Sequence, residues 1–551
     1  MPAASSALAL VRSLAEIPAA FFDVIRSLPG QPVRSVVYAA PLDLRADPEV
    51  SVPRRLAVLG FDALDVDLVL KWSAEGRLPA FRRLLGESAW CRFDLPAEYS
   101  SGMVWPSITT GLAPSQHQAW FGTRLIDGQY RVRPRRMSDL RGQPFWTSLA
   151  EAGARIVVAD VPFTAVNPAL GGRQLGYWGS HEWMPHTGSH PPQLLTELSR
   201  RVGQYPIGAV VEDTWARAGA RDFARMLSQA IHLRSRILES LCEDDWDFFF
   251  GVFPESHSAG HYLWHEAGDP QALRRIYEDL DCALARFLSR LPPQAGLAVV
   301  LSHGMGPNYN GCHLFPELLA RFNARWSGSI GSAASRSLLD RIWSSTVTRL
   351  PAHWRIAAGA CLPVQARRWL SSRRQQNARL WRSSPAFALP ATDGFSAVRV
   401  NLAGREPAGR ISGPAAYAGY LDSLAAELSQ WTIEGAGHRA VARIWRCAAS
   451  ADALRLGAAP DLMVWWDNSR PVTAIHSPSL GTVRGESSAA RSGEHVMHSL
   501  LLLRVPHGAP GRRNLAGMGL TDIAPTLLDY VGLAAPASMN GRSRLRELTR
   551  P

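Results

Sequence analysis

Lysine is all but missing from this 551-residue chain: Lys71 is the single example among 59 basic residues. Cysteine is sparse and scattered, at Cys91, Cys242, Cys282, Cys312, Cys361 and Cys447, with no C-x-x-C pair. That spacing excludes a disulfide scaffold and a thiolate zinc site, and it fits a reducing compartment. Long apolar runs are missing too. No stretch reaches the ~18–20 residues that a membrane-spanning helix needs. Arg12 cuts short the run Ala7–Val11, so no secretory signal is read and a cytoplasmic location is expected. Internal repeats, low-complexity tracts and a nucleic-acid-binding module are likewise not found.

What is there is ample for folding. Apolar residues make up 46% and charged residues 19% of the chain, enough to bury a core. A length of 551 residues implies one large domain with insertions, or two or three domains. The formal net charge is +12. It reads either as arginine-rich codon usage or as a surface that attracts phosphates, nucleotides or lipid head groups.

Buried-strand patterns alternate with helical ones. Leu56–Asp62, Ile156–Ala159, Phe248–Phe253, Leu297–Leu301, Leu462–Trp466 and Leu500–Arg504 are short, largely apolar runs, the mark of strands covered on both faces. Helical spacing fills Val66–Leu85, Ala220–Leu241 and Pro270–Leu291. The pattern predicts an α/β fold. Residues 1–53 read as a leader, with an amphipathic helix over 5–28. Residues 54–327 form the first part of the core and 389–551 the second. Between them, 328–388 is arginine-rich with scattered tryptophans (Trp343, Trp354, Trp369, Trp381) and reads as a helical insertion or cap. Both 5–28 and 328–388 fit either packing on the body or peripheral contact with a membrane surface.

Polar residues gather where these strands end, which is where open α/β sheets bind ligands. Asp62 closes the first strand. Ser100 and Ser101 begin a loop-to-helix junction that suits either a nucleophile beside free backbone N–H groups or an ordinary helix cap. His257 and His261, four residues apart, face one side of a helical turn after Phe248–Phe253. Glu255 and His265 flank them. A metal pair or structural histidines both fit that spacing. Ser302-His303-Gly304-Met305 follows another strand, and Gly493-Glu494-His495 precedes the last. Neutral imidazoles on one sheet edge suit zinc or a similar borderline cation. Further along, Arg399 and Arg405 could bind an anionic oxygen or form a structural salt bridge. Asn308 and Asn310 could line a pocket or make a turn. Trp105 and Trp264 fit stacking on a ligand or core packing.

In this order the segments Gly60-Phe61-Asp62, Ser101, Thr110-Gly111-Leu112-Ala113-Pro114-Ser115-Gln116-His117, His257…His261, Ser302-His303-Gly304-Met305 and Gly493-Glu494-His495 resemble the alkaline phosphatase superfamily. Within it they are similar to the type I phosphodiesterase/nucleotide pyrophosphatase branch, over roughly residues 54–325 and 388–546. The resemblance implies a mostly parallel central sheet flanked by helices, here with a helical, arginine-rich insertion. It implies Ser101 as nucleophile, with Ser100 the neighbouring candidate, and Asp62, His257, His261, His303 and His495 as metal ligands. The cofactor it implies is one or two Zn²⁺ ions, with Mn²⁺ as a substitute.

Two positions depart from the family pattern: His257 and Ser302 stand where it has Asp. The expectation is one tightly held ion on His257, His261 and His495. A weak or absent second would fall on Asp62, His303 and Ser101, with Glu255 as a supporting carboxylate. The function implied is a metal-dependent hydrolase of small phosphate or sulfate esters working through a covalent phospho-seryl intermediate. The alternatives are a phospho- or sulfo-transferase to a glycan or lipid hydroxyl, and a catalytically dead relative that only binds. The oligomeric state stays open.

Overall fold

Strand β1 (Leu56–Phe61) is buried at every position and lies near the middle of the main sheet. The protein is described here from a computed structural model covering residues 54–96, 98–179, 187–208, 211–264, 271–328, 378–390, 394–447, 457–487, 491–506 and 515–549. The leader 1–53 with its amphipathic pattern, residues 329–377 of the basic insertion, Cys361 and His265 all lie outside these residues.

The other strands of the main sheet are β2 (Ala89–Asp94), β3 (Ile156–Ala159), β4 (Arg173–Gly176), β5 (Gly188–His190), β6 (Phe248–Phe253), β7 (Gly296–Leu301) and, near the end of the chain, His498–Arg504. Two short strands near the site are β8 (Gly304–Pro307) and a partner at Gly493–Val496. A second sheet contains β9 (Ala386–Leu389), β10 (Phe395–Val400), β11 (Val441–Arg446) and β12 (Leu462–Trp466). Gly493–Val496 is then β13, and His498–Arg504 is β14. The main sheet has eight strands in the order β2-β14-β7-β1-β6-β3-β4-β5. The central neighbours β7, β1, β6, β3 and β4 run parallel; β14 and β5 run against them at the two sides, and β2, antiparallel to β14, runs with them.

Two-faced burial explains the apolar runs. Ala57, Leu59 and Phe61 of β1 join one core with Leu297, Val299 and Leu301 of β7. Leu56 and Val58, with Ala298 and Val300, join the core on the opposite face. Successive side chains of a strand point to opposite faces, so both must be apolar when helices cover both. Helix α1 (Ser101–Thr110) is buried along its whole length. Helix α2 (Val211–Cys242) is interrupted at Gly219, where φ is +72°. Helix α3 (Glu255–Leu263) follows β6 directly. Helix α4 (Ala272–Arg290) buries Leu273, Ile276, Tyr277, Leu280, Leu284 and Phe287, an i, i+3, i+4 stripe against the sheet.

The second sheet, in the order β9-β10-β12-β11, is antiparallel throughout and has its own core. Leu462–Trp466 is therefore a strand, as its composition predicts, but it belongs to this sheet and not to the main one. The insertion read as strand-free ends in β9, which pairs with β10. Trp381 is buried and stacks on Phe387 with ring centroids 4.5 Å apart, so it packs in the core. Among the described residues, no helix is long and apolar enough to cross a membrane. Cys91, Cys242, Cys282, Cys312 and Cys447 are all free thiols.

Candidate active site

Register builds the site. Phe61 of β1 lies opposite Phe253 of β6 on one side and Leu301 of β7 on the other, so the three parallel strands end level. The next residues therefore leave the sheet side by side: Asp62 after β1, Pro254-Glu255 after β6, and Ser302-His303 after β7. Asp62 N–H donates to Phe253 O at 3.0 Å and Ser302 N–H to Phe61 O at 3.2 Å, which continues the ladder one step past the strands. The antiparallel pair β8 and β13 sets Met305 opposite His495, bringing the last histidine over the same rim.

Close approach of α3 to this pair depends on small residues. A Cβ on Gly493 would fall 2.0 Å from Gly260 O, and one on Gly260 would fall 2.6 Å from Met305 Cε. Glycine at both positions lets the helix settle against the ribbon, so that His261 Nδ1 reaches Gly493 O at 2.9 Å.

Four imidazoles gather there. Ring centroids are 4.7 Å apart for His257–His261, His257–His495 and His261–His495, and 4.6 Å for His303–His495. His257 Nε2 is 2.9 Å from His261 Nε2, and His303 Nε2 is 3.0 Å from His495 Nδ1. One ligand atom each from His257, His261 and His495 lies within 4.8 Å of the others, a separation that one cation can bridge. His495 is held well below the usual histidine range by burial, then by its histidine neighbours and Arg491, so its ring is neutral, as a metal ligand must be.

Asp62 lies beneath this cluster. Its Oδ1 accepts from the Trp105 indole N–H at 2.7 Å and from the Ser302 hydroxyl at 3.0 Å. Its Oδ2 is 2.9 Å from His257 Nδ1. Trp105 stands one helical turn beyond Ser101 on α1, so this indole ties the helix to the cluster. Its role as a donor to Asp62 is invisible in sequence, where a tryptophan reads as core or as a stacking surface.

Ser100 and Ser101 differ sharply. Ser100 is fully buried and its hydroxyl donates to Trp120 O at 3.0 Å. Ser101 is the first residue of α1 and is 9% exposed. No side chain caps that helix. Arg135 is buried beside it, with Nη2 3.7 Å from where a Cβ on Gly102 would stand. Arg491 brings Nη1 to within 3.4 Å of His261 Nε2. Sequence reasoning missed both arginines. Arg135 is one of several in Arg131-Val132-Arg133-Pro134-Arg135-Arg136, and nothing in that run singles it out. Arg491 stands two residues before the Gly-x-His motif, the one signal that could have found it.

Other expected residues lie in structural roles. Glu255 is fully buried and its Oε1 accepts from Arg234 Nε at 2.8 Å and Tyr205 O–H at 3.2 Å. Burial raises its pKa, against the pull of Arg234. Arg234 also pairs with Asp160, so Glu255 belongs to a buried ion network and not to the imidazole cluster. Arg399 donates to Glu406 at 2.7 Å and to Ala459 O, and Arg405 holds Asp461 at 2.7 and 2.8 Å. These two guanidinium groups knit the second sheet internally; the salt-bridge reading holds, and neither is brought to the histidines. Asn308 donates to Arg491 O at 2.9 Å, while Asn310 donates to Asn308 and accepts from Cys312 N–H, which makes a turn. His117 accepts from Ala119 N–H through Nδ1 at 3.0 Å and meets Ser107 Oγ through Nε2 at 2.9 Å, a buried neutral structural histidine.

A parallel sheet whose carboxyl rim gathers imidazoles and a carboxylate tied to the neighbouring helix is a framework that suits a metal-dependent esterase. Residues 56–343 match the family described as type I phosphodiesterase/nucleotide pyrophosphatase, and the chain belongs to that family, within the alkaline phosphatase superfamily. Solved structures similar to it include human ectonucleotide pyrophosphatase/phosphodiesterase 5, at 10% identity and a TM-score of 0.46 over 90% of this chain and 99% of that one. The wild-type alkaline phosphatase PafA gives 12% identity and a TM-score of 0.49 over 91% and 99%. Phosphonoacetate hydrolase from Sinorhizobium meliloti, in complex with phosphonoacetate, gives 13% and 0.44 over 88% and 97%. Comparison with curated protein sequences gives no significant match. Family membership makes the protein a phosphodiesterase-family enzyme.

Proposed function

We propose that the protein hydrolyses small phosphate esters, with Ser101 as nucleophile. What supports this is the three-histidine cluster together with the tie that runs from α1, whose first residue is Ser101, through the Trp105 indole to Asp62 and His257. The donor set fits a cation such as Zn²⁺: imidazoles with their outer nitrogens already hydrogen-bonded. His257, His261 and His495 would hold it. When bound, such an ion polarises the phosphoryl oxygens and lowers the pKa of the attacking group.

The remaining chemistry belongs to the chain. Ser100 is committed to Trp120 O, which leaves Ser101 as the hydroxyl able to meet a substrate. The Ser101 and Gly102 N–H groups that open α1, where no side chain caps the helix, donate to equatorial phosphoryl oxygens, aided by the helix dipole. Arg135 beside that turn and Arg491 beside His261 add permanent positive charge and forked donors for the same oxygens. Ser101 Oγ bonds to phosphorus as the bond to the leaving oxygen breaks; the leaving group takes the electron pair and the proton that the hydroxyl gives up. Water then attacks the phospho-seryl group, releasing phosphate or its monoester and restoring the hydroxyl.

Incubating the purified protein with Zn²⁺ or Mn²⁺ and p-nitrophenyl phosphate mono- and diesters tests this reading. Release of p-nitrophenol that disappears in Ser101→Ala supports it. Turnover that survives in Ser101→Ala moves the nucleophile elsewhere.

A further inference from the structure

The proton inventory of the cluster decides how many cations it can hold. A hydroxyl has one proton to give, and Ser302 gives it to Asp62 Oδ1. Its oxygen must then accept from Ala63 N–H at 3.1 Å and from His303 Nδ1, 2.9 Å away. His303 therefore carries its proton on Nδ1 and turns the Nε2 lone pair toward His495. Asp62 Oδ2 takes the Nδ1 proton of His257, and Gly493 O takes that of His261. The Nε2 lone pairs of His257 and His261 then converge 2.9 Å apart, with Arg491 Nη1 3.4 Å from His261 Nε2, an arrangement that a cation held by both nitrogens satisfies. Asp62, meanwhile, spends Oδ1 on Trp105 and Ser302 and Oδ2 on an imidazole.

Building on the metal-centre reading above, we propose that this enzyme holds a single cation on imidazoles alone, His257, His261 and His495. Asp62 is then a positioning residue that fixes the tautomer of His257, and not a ligand. The paired-dication arrangement expected from the resemblance does not fit these residues. A second site would need Asp62 to abandon three hydrogen bonds and would find the Ser302 hydroxyl where a carboxylate is required. Two dications with one carboxylate between them would also be poorly neutralised. Ser302 is what keeps Asp62 in its outer role, and His303 orients His495 from the far side.

The test counts metal, not turnover. Full-length protein saturated with Zn²⁺ and dialysed should retain one equivalent by elemental analysis. With Mn²⁺ it should give the electron paramagnetic resonance signal of an isolated ion. Asp62→Asn should weaken affinity by about 10- to 100-fold, as loss of an outer-sphere carboxylate does, while His261→Ala should abolish retention. The double substitution His257→Asp with Ser302→Asp should raise the count to two. Two retained equivalents in the wild type, a spin-coupled Mn²⁺ pair, or Asp62→Asn losing metal as fully as His261→Ala would overturn the proposal. Stoichiometry and spectrum are read on the unmutated chain, so a variant that fails to fold cannot hide the answer. A protein that keeps one ion and cleaves no ester would defeat the hydrolase reading while upholding this one.

Discussion

His257 and His261 meet nitrogen to nitrogen at 2.9 Å, each with its other ring nitrogen already engaged, by Asp62 and by Gly493 O respectively. Helical spacing alone gives them a shared face; the two outer acceptors turn that face into a cation site. Chelation should therefore destabilise the fold as well as remove activity. At a free metal concentration about 100-fold above Kd, binding adds about 2.7 kcal/mol. Thermal unfolding with and without a chelator checks this, and an unchanged Tm would contradict it.

Ser101 and Ser100 are adjacent but not equivalent. Ser101→Ala should cut kcat by at least about a thousandfold while leaving bound metal unchanged. Ser100→Ala should instead cost about 1 kcal/mol of stability through its lost bond to Trp120 O, with a modest effect on rate. Quenching the reaction in acid and mapping the phosphorylated peptide distinguishes them.

Arg491 should act on substrate affinity. Arg491→Met removes a guanidinium 3.4 Å from His261, so KM for an anionic ester should rise about tenfold. Equal kinetic constants for the variant and the parent would take Arg491 out of the site.

Arg399 makes the opposite case. It is buried with Glu406, and Arg399→Met leaves that carboxylate to Arg405 alone, 3.0 Å away, and removes the donor to Ala459 O, a loss of about 1–3 kcal/mol. The folded fraction should retain its KM. Urea unfolding together with steady-state kinetics separates this from a substrate role.

His117 sets a pH dependence away from the imidazole cluster. Burial, with help from Arg135, lowers its pKa from 6.5 to about 3. The folded state keeps it neutral while the unfolded chain takes up a proton, so its contribution is complete above pH 6.5 and is lost as pH falls from 6.5 toward 3. The slope reaches about 1.4 kcal/mol per pH unit. Urea midpoints measured between pH 7 and 4 should fall less steeply in His117→Gln than in the parent.

Much of this architecture can be read in the sequence because burial on two faces leaves an unbroken apolar run. Ile156–Ala159 and Phe248–Phe253 have the predicted ends, residue for residue. Strand ends then point to Asp62, His257 and His303, because a parallel sheet places them on one rim, while His495 arrives on the antiparallel pair β8 and β13. Partner choice is what sequence cannot carry. Leu462–Trp466 looks like any buried strand, yet pairs with β10 and β11. Arg399 and Arg405 look like oxygen binders until Glu406 and Asp461 stand opposite them. Arg135 reaches α1 from the end of a short hairpin, Thr123–Leu125 paired with Val132–Pro134, where its N–H bonds Gly122 O; local pattern can suggest the hairpin but not what it packs against.

The most direct test of the whole account is a Zn²⁺ titration of metal-free protein with bis(p-nitrophenyl) phosphate as reporter. Turnover should rise with metal occupancy and be absent in His261→Ala at every concentration. Hydrolysis that persists without metal, or a folded and metal-loaded protein that cleaves neither this diester nor the monoester, would contradict it.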